Sequence, residues 1–345
     1  MFLPHTTQEN STKLSKALGI KSDCGKKLKA RKNIKIHSPA SDDIPSEELT
    51  KIGIYIPSWL PISFRPPPWM ILKDIETIVA TYVYYAANDD KVHSLRTLAK
   101  SNHFSANISS FKTLCPEICV DQNVLNVFVS MLTHHERSLS DLNMNWFIPT
   151  TFSQYILDEE VSSKNMRQKY QEDFMEKVDY LRKMFVSVKE DNNHWYLVVF
   201  DFRKQKVILL DSKPDPSKED SKELTIKRLA LYIEVMLQDA TFYDSKRTVV
   251  PKVSKFHVVV PDEMSVERCE SFFSSNDGGI WVAQWMNECG WCDKYFSIDI
   301  DIDTRMRLAL DLILHPYNLK RNVVIKSAQQ NYPKIEKKCM ALARK

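Results

Sequence analysis

Glycine is scarce in this chain, which has only six glycines among its 345 residues. So few glycines argue against a glycine-rich β-sandwich or a dinucleotide-binding fold, and neither a G-x-G-x-x-G nor a P-loop pattern occurs. No apolar run approaches the roughly 20 residues that span a bilayer. No secretory signal follows Met1, and the seven cysteines are odd in number and lack framework spacing. We therefore expect a reduced, intracellular protein of the nucleus or cytoplasm that does not enter a membrane.

Hydrophobic residues make up 43% of the chain, which is enough for one sizeable core. The net charge of +4 is too small to imply nucleic-acid binding by itself. A basic run at 26–32 and acidic patches at 41–43 and 47–48 instead predict a disordered tail over residues 1–53. The basic run could serve nuclear import, contact phosphates or be merely solvated, so a nucleic-acid partner stays an open question.

Helical and strand patterns follow one another in blocks along residues 54–315. After an irregular lead-in rich in proline and aromatic residues, helices are predicted at 70–87, 122–133, 165–184, 222–237, 279–289 and 303–314. Strands are predicted at 195–202, 206–211 and 256–261, with a short strand or turn at 146–149. Residues 316–345 are basic and polar and are predicted to form a tail. Helices first and a hairpin later favour an α+β domain over alternating βαβ units.

A His and an Asp are predicted to meet across the hairpin. A turn at Arg203 and Lys204 sets residue 194 opposite roughly 213, with residue 211 one diagonal step away on the same face. A turn one residue earlier pairs 194 with 211 directly. In both registers His194 and Asp211 lie within hydrogen-bond reach, which suits a carboxylate that orients an imidazole. The alternative is a strand-end His and a turn Asp without chemical roles.

A third block is expected to begin a helix at Gly278. A helix N-terminus offers free backbone N–H groups and a positive dipole end, which lower the pKa of a thiol and stabilise an oxyanion. A strand, a polar loop and such a helix are a familiar placement for a cysteine nucleophile. Asp277 can cap this helix.

The three blocks together resemble one family. They read His194-Trp195, Leu210-Asp211-Ser212 and Asn276-Asp277-x-Gly279-Ile280-Trp281-Val282. This order and spacing resembles the ubiquitin-like-protein protease family, the SUMO-deconjugating, adenain-like cysteine peptidases, and particularly its plant transposon-related type. The likeness covers about residues 110–300. It implies a papain-like or adenain-like α+β fold with a mixed sheet flanked by helices, cleavage after the Gly-Gly of ubiquitin-like proteins, and no cofactor.

The resemblance also implies roles for individual residues. His194 matches the general base, and Asp211 matches the carboxylate that orients it. Trp195 matches an aromatic residue that helps to clamp the narrow Gly-Gly tail of the substrate.

Other family positions carry unexpected residues. The nucleophile position falls on Gly278, where the family has Cys. The family's oxyanion-donating Gln, six residues earlier, falls on Phe272, and no Gln occurs between Gln238 and Gln284. A second clamping Trp is missing around 118–120. Because Gly offers no nucleophile for a base to activate, the resemblance implies impaired or absent peptidase activity.

Two alternatives stay open beside this interpretation. One is an active thiol peptidase that uses another cysteine. Cys289 lies three helical turns, about 16 Å, beyond Gly278, and Cys269 could approach only if its loop folds back. The other is a non-catalytic protein-binding module of transposon origin. Both alternatives are compatible with a monomer whose partner is a ubiquitin-like protein or its conjugate.

The remaining motifs indicate structure rather than chemistry. Cys289 and Cys292 form one C-x-x-C without a partner pair, whereas a structural zinc usually needs four ligands, so no metal is expected. Trp281 and Trp285, spaced i and i+4, are predicted to pack in the core.

Overall fold

The computed structural model describes residues 56–85, 91–139, 145–158, 161–190, 193–244, 249–261, 276–289, 300 and 302–344. All of them belong to one compact unit, Ser38–Lys345. The predicted disordered tail over residues 1–53 lies outside the described residues, as do Cys269, Phe272 and Cys292.

A mixed five-stranded sheet and a separate two-stranded pair form the β-structure of the described residues. The strands are β1 (Thr97–Lys100), β2 (Ser105–Asn107), β3 (Asn145–Ile148), β4 (Lys183–Lys189), β5 (Trp195–Asp201), β6 (Lys206–Leu210) and β7 (His257–Val259). β1 and β2 form the small antiparallel pair, and the large sheet has the order β3-β4-β5-β6-β7. β3–β4 and β6–β7 are parallel, whereas β4–β5 and β5–β6 are antiparallel.

Helices supply the other part of this α+β fold. The α-helices of the described residues are α1 (Asp74–Tyr84), α2 (Lys91–Ser94), α3 (Ile108–Lys112), α4 (Gln122–Leu139), α5 (Thr150–Leu157), α6 (Ser163–Phe174), α7 (Glu219–Met236), α8 (Gly278–Cys289), α9 (Ile302–Ile313) and α10 (Arg321–Ala343). α5 packs on β4, and α8 packs on β5. None of these helices combines the length and the apolarity needed to cross a bilayer.

The β5–β6 hairpin is the centre of the sheet. Every residue of β5 is buried, as its nearly continuous aromatic and β-branched sequence predicts for a central strand. The side chain of Asp201 accepts a hydrogen bond of 2.8 Å from the backbone N–H of Lys204 and so closes the turn. Leu197 pairs with Leu210, which fixes the register of the two strands. The predicted hairpin and its turn are confirmed.

One predicted helix is wrong in its second half. The pattern at 165–184 predicts a single helix, but α6 ends at Phe174 and the chain enters β4 at Lys183. Residues 183–188 are all buried, because β4 lies between β3 and β5 in the large sheet. The apolar run of β4 continues the helical pattern of α6 without a glycine or proline break, so periodicity alone did not separate the two elements.

The predicted basic tail at 316–345 is also wrong. α10 covers most of it and packs against α1. Its buried residues are Val324, Ile325, Ala328, Ile335 and Cys339. Most of these lie four or seven residues apart, which places them on one helical face. This narrow stripe is diluted by exposed lysines, so the average composition resembles that of a tail although the helix belongs to the core.

Candidate functional site

His194 and Asp211 meet at one end of the β5–β6 hairpin. His194 directly precedes β5, and Asp211 directly follows β6. Continuing the Leu197–Leu210 register places residue 194 opposite 213, which is the first of the two predicted registers. Nε2 of His194 lies 2.6 Å from Oδ1 of Asp211, and both side chains are buried. The predicted adjacency is confirmed, whereas the roles of base and orienting carboxylate stay predictions.

A buried lysine completes the surroundings of Asp211. Nζ of Lys222, from α7, contacts Oδ2 of Asp211, and the backbone N–H of Lys213 donates to Oδ1 at 2.9 Å. Burial alone would raise the pKa of Asp211, but hydrogen bonds from His194, Lys222 and the backbone of Lys213 outweigh it and lower the pKa below its usual value. Asp211 is therefore a carboxylate at neutral pH.

Lys222 joins Asp211 to a second carboxylate. Its Nζ lies 3.4 Å from Oε1 of Glu190, and Lys218 donates to Oε2 of Glu190 at 2.7 Å. Charged groups this far from water are stable only when they are paired, so the His–Asp pair is one part of a larger ionic network. The sequence does not predict a role for Lys222, because a lysine in a polar helical stretch gives no sign that it is buried.

Gly278 lies directly opposite the other nitrogen of the imidazole. It is the first residue of α8, as predicted. A Cβ atom built on Gly278 would lie 3.3 Å from Nδ1 of His194. Nε2 of the same ring faces Asp211. A side chain at position 278 would therefore point at the Nδ1 edge of a ring whose Nε2 edge is held by a carboxylate.

There is nevertheless no room for a side chain at position 278. The same Cβ would lie 2.8 Å from the backbone oxygen and 3.0 Å from the backbone nitrogen of Trp195. Real Cβ atoms essentially never approach backbone atoms to less than 3.0 Å. The start of α8 and the start of β5 have thus come closer together than any residue with a side chain allows, so glycine is required by close approach.

Trp195 is enclosed by its neighbours. It is 1% exposed, and its indole N–H donates to the carbonyl of Val120 at 3.3 Å. Nζ of Lys189 lies 5.5 Å from the ring centroid. A Cβ on Gly279 would lie 2.7 Å from Cβ of Val120, so Val120 and α8 also touch closely. A clamp on a peptide tail needs an uncovered ring face, so the predicted binding role of Trp195 requires Val120 to move.

Arg305 fixes the N-terminus of α8. This side chain from α9 is 2% exposed, and its Nε donates to Oδ1 of Asp277 at 2.7 Å. Its Nη1 donates to the carbonyls of Cys115 at 3.1 Å and Ile118 at 3.2 Å. The carboxylate of Asp277, predicted to cap α8, is therefore bound by a guanidinium, and its backbone carbonyl accepts from Ile280 at 2.8 Å. The sequence does not predict a role for Arg305, because its partners are distant in the chain.

One thiol lies beside this site. Sγ of Cys119 lies 2.9 Å from the carbonyl oxygen of Asn193, the residue before His194. Burial raises the pKa of the Cys119 thiol, although the charge of Lys189 and a hydrogen bond with Trp195 oppose the increase. No motif in the sequence points to this cysteine.

Two further expectations concern α8 and metal binding. Trp281 and Trp285 are buried with ring centroids 5.4 Å apart, so their predicted core packing is confirmed. Among the described residues, no three His, Cys, Asp or Glu side chains form a group that could hold a metal ion.

Comparisons with known proteins agree with this geometry. Residues 122–270 match the family model described as the Ulp1 protease family, C-terminal catalytic domain. A structure of the SUMO protease Ulp1 with its catalytic cysteine oxidised to a sulfinic acid is 15% identical, with 78% of this chain and 100% of that chain covered and a TM-score of 0.50. The Ulp1 protease domain in complex with Smt3, the yeast ortholog of SUMO, is 15% identical, with 77% and 100% covered and a TM-score of 0.50. No curated protein matches. The predicted α+β cysteine-peptidase fold is thus confirmed.

Proposed function

Because residues 122–270 of this chain match the model of the Ulp1 protease family, we propose that it is a member of that family which has kept the fold and the His–Asp pair but has lost the peptidase reaction. We further propose that it binds a ubiquitin-like protein, or a conjugate of one, without cleaving it. The observation that carries the proposal is Gly278, which faces Nδ1 of His194.

Peptidase chemistry on this scaffold requires a nucleophile that faces the imidazole. A thiol at position 278 would lie at the N-terminus of α8, where the helix dipole lowers its pKa, and beside Nδ1 of His194, which would take its proton. Glycine supplies neither a nucleophile nor a proton to transfer. The remaining pair of His194 and Asp211 can then polarise nothing at this position.

The closed packing around Trp195 supports the same conclusion independently. A Gly-Gly tail that reached position 278 would have to pass beside Trp195, whose ring is enclosed by Val120, Lys189 and α8. A missing thiol would by itself leave an open cleft. The approach of α8 to β5 indicates instead that the packing has adjusted to glycine.

Retention of the His–Asp pair does not require retained activity. Asp211 is buried against Lys222, and Lys222 also contacts Glu190. Removing one member of a buried ion pair strands the other charge and typically costs about 3–5 kcal/mol. The network therefore stabilises the fold even when the chain has no peptidase activity.

A partner is suggested by one of the similar structures, in which the Ulp1 domain is bound to Smt3. With the tail path closed, we propose that this chain contacts the folded body of a ubiquitin-like protein. It should then bind forms with and without the Gly-Gly tail equally well. Isothermal titration calorimetry with both forms tests this, and a strict need for the tail would contradict it.

The alternative is a thiol peptidase that uses another cysteine, and the position of Cys119 beside Asn193 is the observation that favours it. The raised pKa of the Cys119 thiol argues against this alternative, because the thiolate is the reactive form. A fluorogenic SUMO or ubiquitin substrate decides between the two. We expect no hydrolysis above buffer. Hydrolysis that iodoacetamide stops would contradict the proposal, and its loss in Cys119→Ser would assign it to Cys119.

A further inference from the structure

A second cleft lies at the opposite end of the sheet from His194. Its volume is about 570 Å³, within the roughly 300–1,000 Å³ that ligand sites usually have. It is lined by the turn before β4, the β5–β6 turn and the segment that leads into β7. His194 directly precedes β5 and Phe202 directly follows it, and a strand rises about 3.3 Å per residue, so the cleft is roughly 26 Å from the His–Asp pair. It is a separate site.

The floor of the cleft is apolar. Phe202 and Phe256 meet edge to face there, with ring centroids 5.6 Å apart. Leu181 is buried beside them, whereas Val249 is 85% exposed at the rim. An apolar floor with an exposed aliphatic rim residue can accept a large aliphatic or aromatic side chain.

The rim of the cleft is positively charged. Arg203, Lys252 and Lys255 line it and are exposed. Asp179 is the acidic residue among the lining residues, and its Oδ2 already accepts a hydrogen bond of 2.8 Å from the backbone N–H of Asp244. Glu234 lies outside the lining; hydrogen bonds from Ser254 are the main cause that lowers its pKa, and the charges of Lys252 and Lys255 lower it further. Three cations against one lining carboxylate leave a net positive rim.

We propose that this cleft binds an extended acidic segment of another protein, with an aliphatic or aromatic side chain of that segment on the apolar floor. Carboxylates on both sides of this side chain then pair with Arg203, Lys252 and Lys255. A nucleic acid fits less well, because the two phenylalanines contact each other edge to face rather than offering open ring faces for bases.

The test is fluorescence anisotropy of the full-length chain with a labelled peptide of acidic residues that carries one leucine and one phenylalanine. The charge-reversal pair Lys252→Glu with Lys255→Glu should weaken binding about tenfold or more. Val249→Asp, at the exposed rim, should weaken it independently. The matched control is Lys326→Glu with Lys338→Glu, which changes the net charge equally on exposed positions of α10 and should stay within about twofold. Circular dichroism checks that each variant is folded.

Two further arms separate the proposal from non-specific attraction. Replacing the leucine and phenylalanine of the peptide by serine should weaken binding, because the floor then has no ligand. Salt at about 0.5 M should weaken it as well, because it screens the rim charges. The proposal is overturned if the peptide does not bind saturably, if both charge-reversal pairs lose affinity equally, or if a single-stranded oligonucleotide binds the cleft more tightly than the peptide.

Discussion

A Cβ atom on Gly278 would lie 3.3 Å from Nδ1 of His194 and 2.8 Å from the carbonyl oxygen of Trp195. The first distance identifies position 278 as the place where a nucleophile would meet the imidazole. The second shows that the backbone has closed over that place. Both follow from the same approach of α8 to the start of β5, and both support the proposed loss of the peptidase reaction.

The close approach predicts that even a methyl group at position 278 is harmful. Gly278→Ala should destabilise the fold by about 1–3 kcal/mol, because backbone atoms of Trp195 must move to admit the new Cβ. Urea unfolding followed by circular dichroism measures this change. Gln284→Ala, at a half-buried position of the same helix, is the control and should be close to neutral. If Gly278→Ala is as stable as the unmodified chain, the two backbones are not in close contact.

The ionic network predicts a large difference between two lysines of α7. Lys222→Met should destabilise the fold by about 3–5 kcal/mol, because Asp211 and Glu190 lose a buried cation. Lys227→Met is the matched control. Its pair with Glu223 is more than half exposed on both sides and should contribute about 0–1 kcal/mol. Both values come from chemical denaturation.

A double variant separates the ion pair from simple packing. Lys222→Met combined with Asp211→Asn should cost less than the sum of the two single changes, because no unpaired carboxylate is then left at that position. Strict additivity would show that Lys222 does not stabilise the fold through its contact with Asp211.

Asp311 predicts a pH dependence of stability that is unrelated to the candidate site. Burial, reinforced by Glu76 and opposed by Arg307 and Lys73, raises the pKa of Asp311 to about 7. A raised carboxyl pKa means that the folded state holds more protons than the unfolded state between about pH 4 and 7. Stability should therefore fall as pH rises through this window and should level off above it. The side chain is 28% exposed, so solvent screening limits the expected effect to about 1–2 kcal/mol.

The test is Asp311→Asn, which removes the titrating group. This variant should be more stable than the unmodified chain at pH 8 and about equally stable at pH 4, as measured by thermal unfolding across the pH range. Asp158→Asn, an exposed carboxylate, serves as the control. A benefit of Asp311→Asn that is as large at pH 4 as at pH 8 would exclude a raised pKa.

The sequence predicted those features that depend on local patterns. His194 and Asp211 are neighbours because a polar turn joins two apolar strands, and the turn position sets the register. The start of α8 was visible because an apolar run follows Asn276 and Asp277. The family resemblance then identified Gly278 as the position at which the family has its nucleophilic Cys.

Long-range pairing accounts for what the sequence could not show. Lys222 and Arg305 are ordinary polar residues in their own helices, and only the folded chain brings them to Asp211 and Asp277. β4 was not predicted, because its apolar residues continue a helical pattern. It forms a strand because it pairs with its two neighbours, β3 and β5. Likewise, the sequence could not show that Trp195 is enclosed by Val120 and α8, because these three segments are far apart in the chain and come together only in the fold.

The most direct measurement of the central claim is covalent labelling by a SUMO vinyl sulfone probe, which reacts only with a correctly placed active-site thiol. The unmodified chain should remain unlabelled. Gly278→Cys should be labelled slowly, because the backbone of Trp195 must first move to admit the new side chain. Adding Phe272→Gln should increase the labelling rate, since one oxyanion donor is typically worth about 10²–10³ in rate. Gly278→Ser, which has a similar size without a thiol, is the control. Labelling of the unmodified chain would contradict the loss of the reaction, which is the central claim.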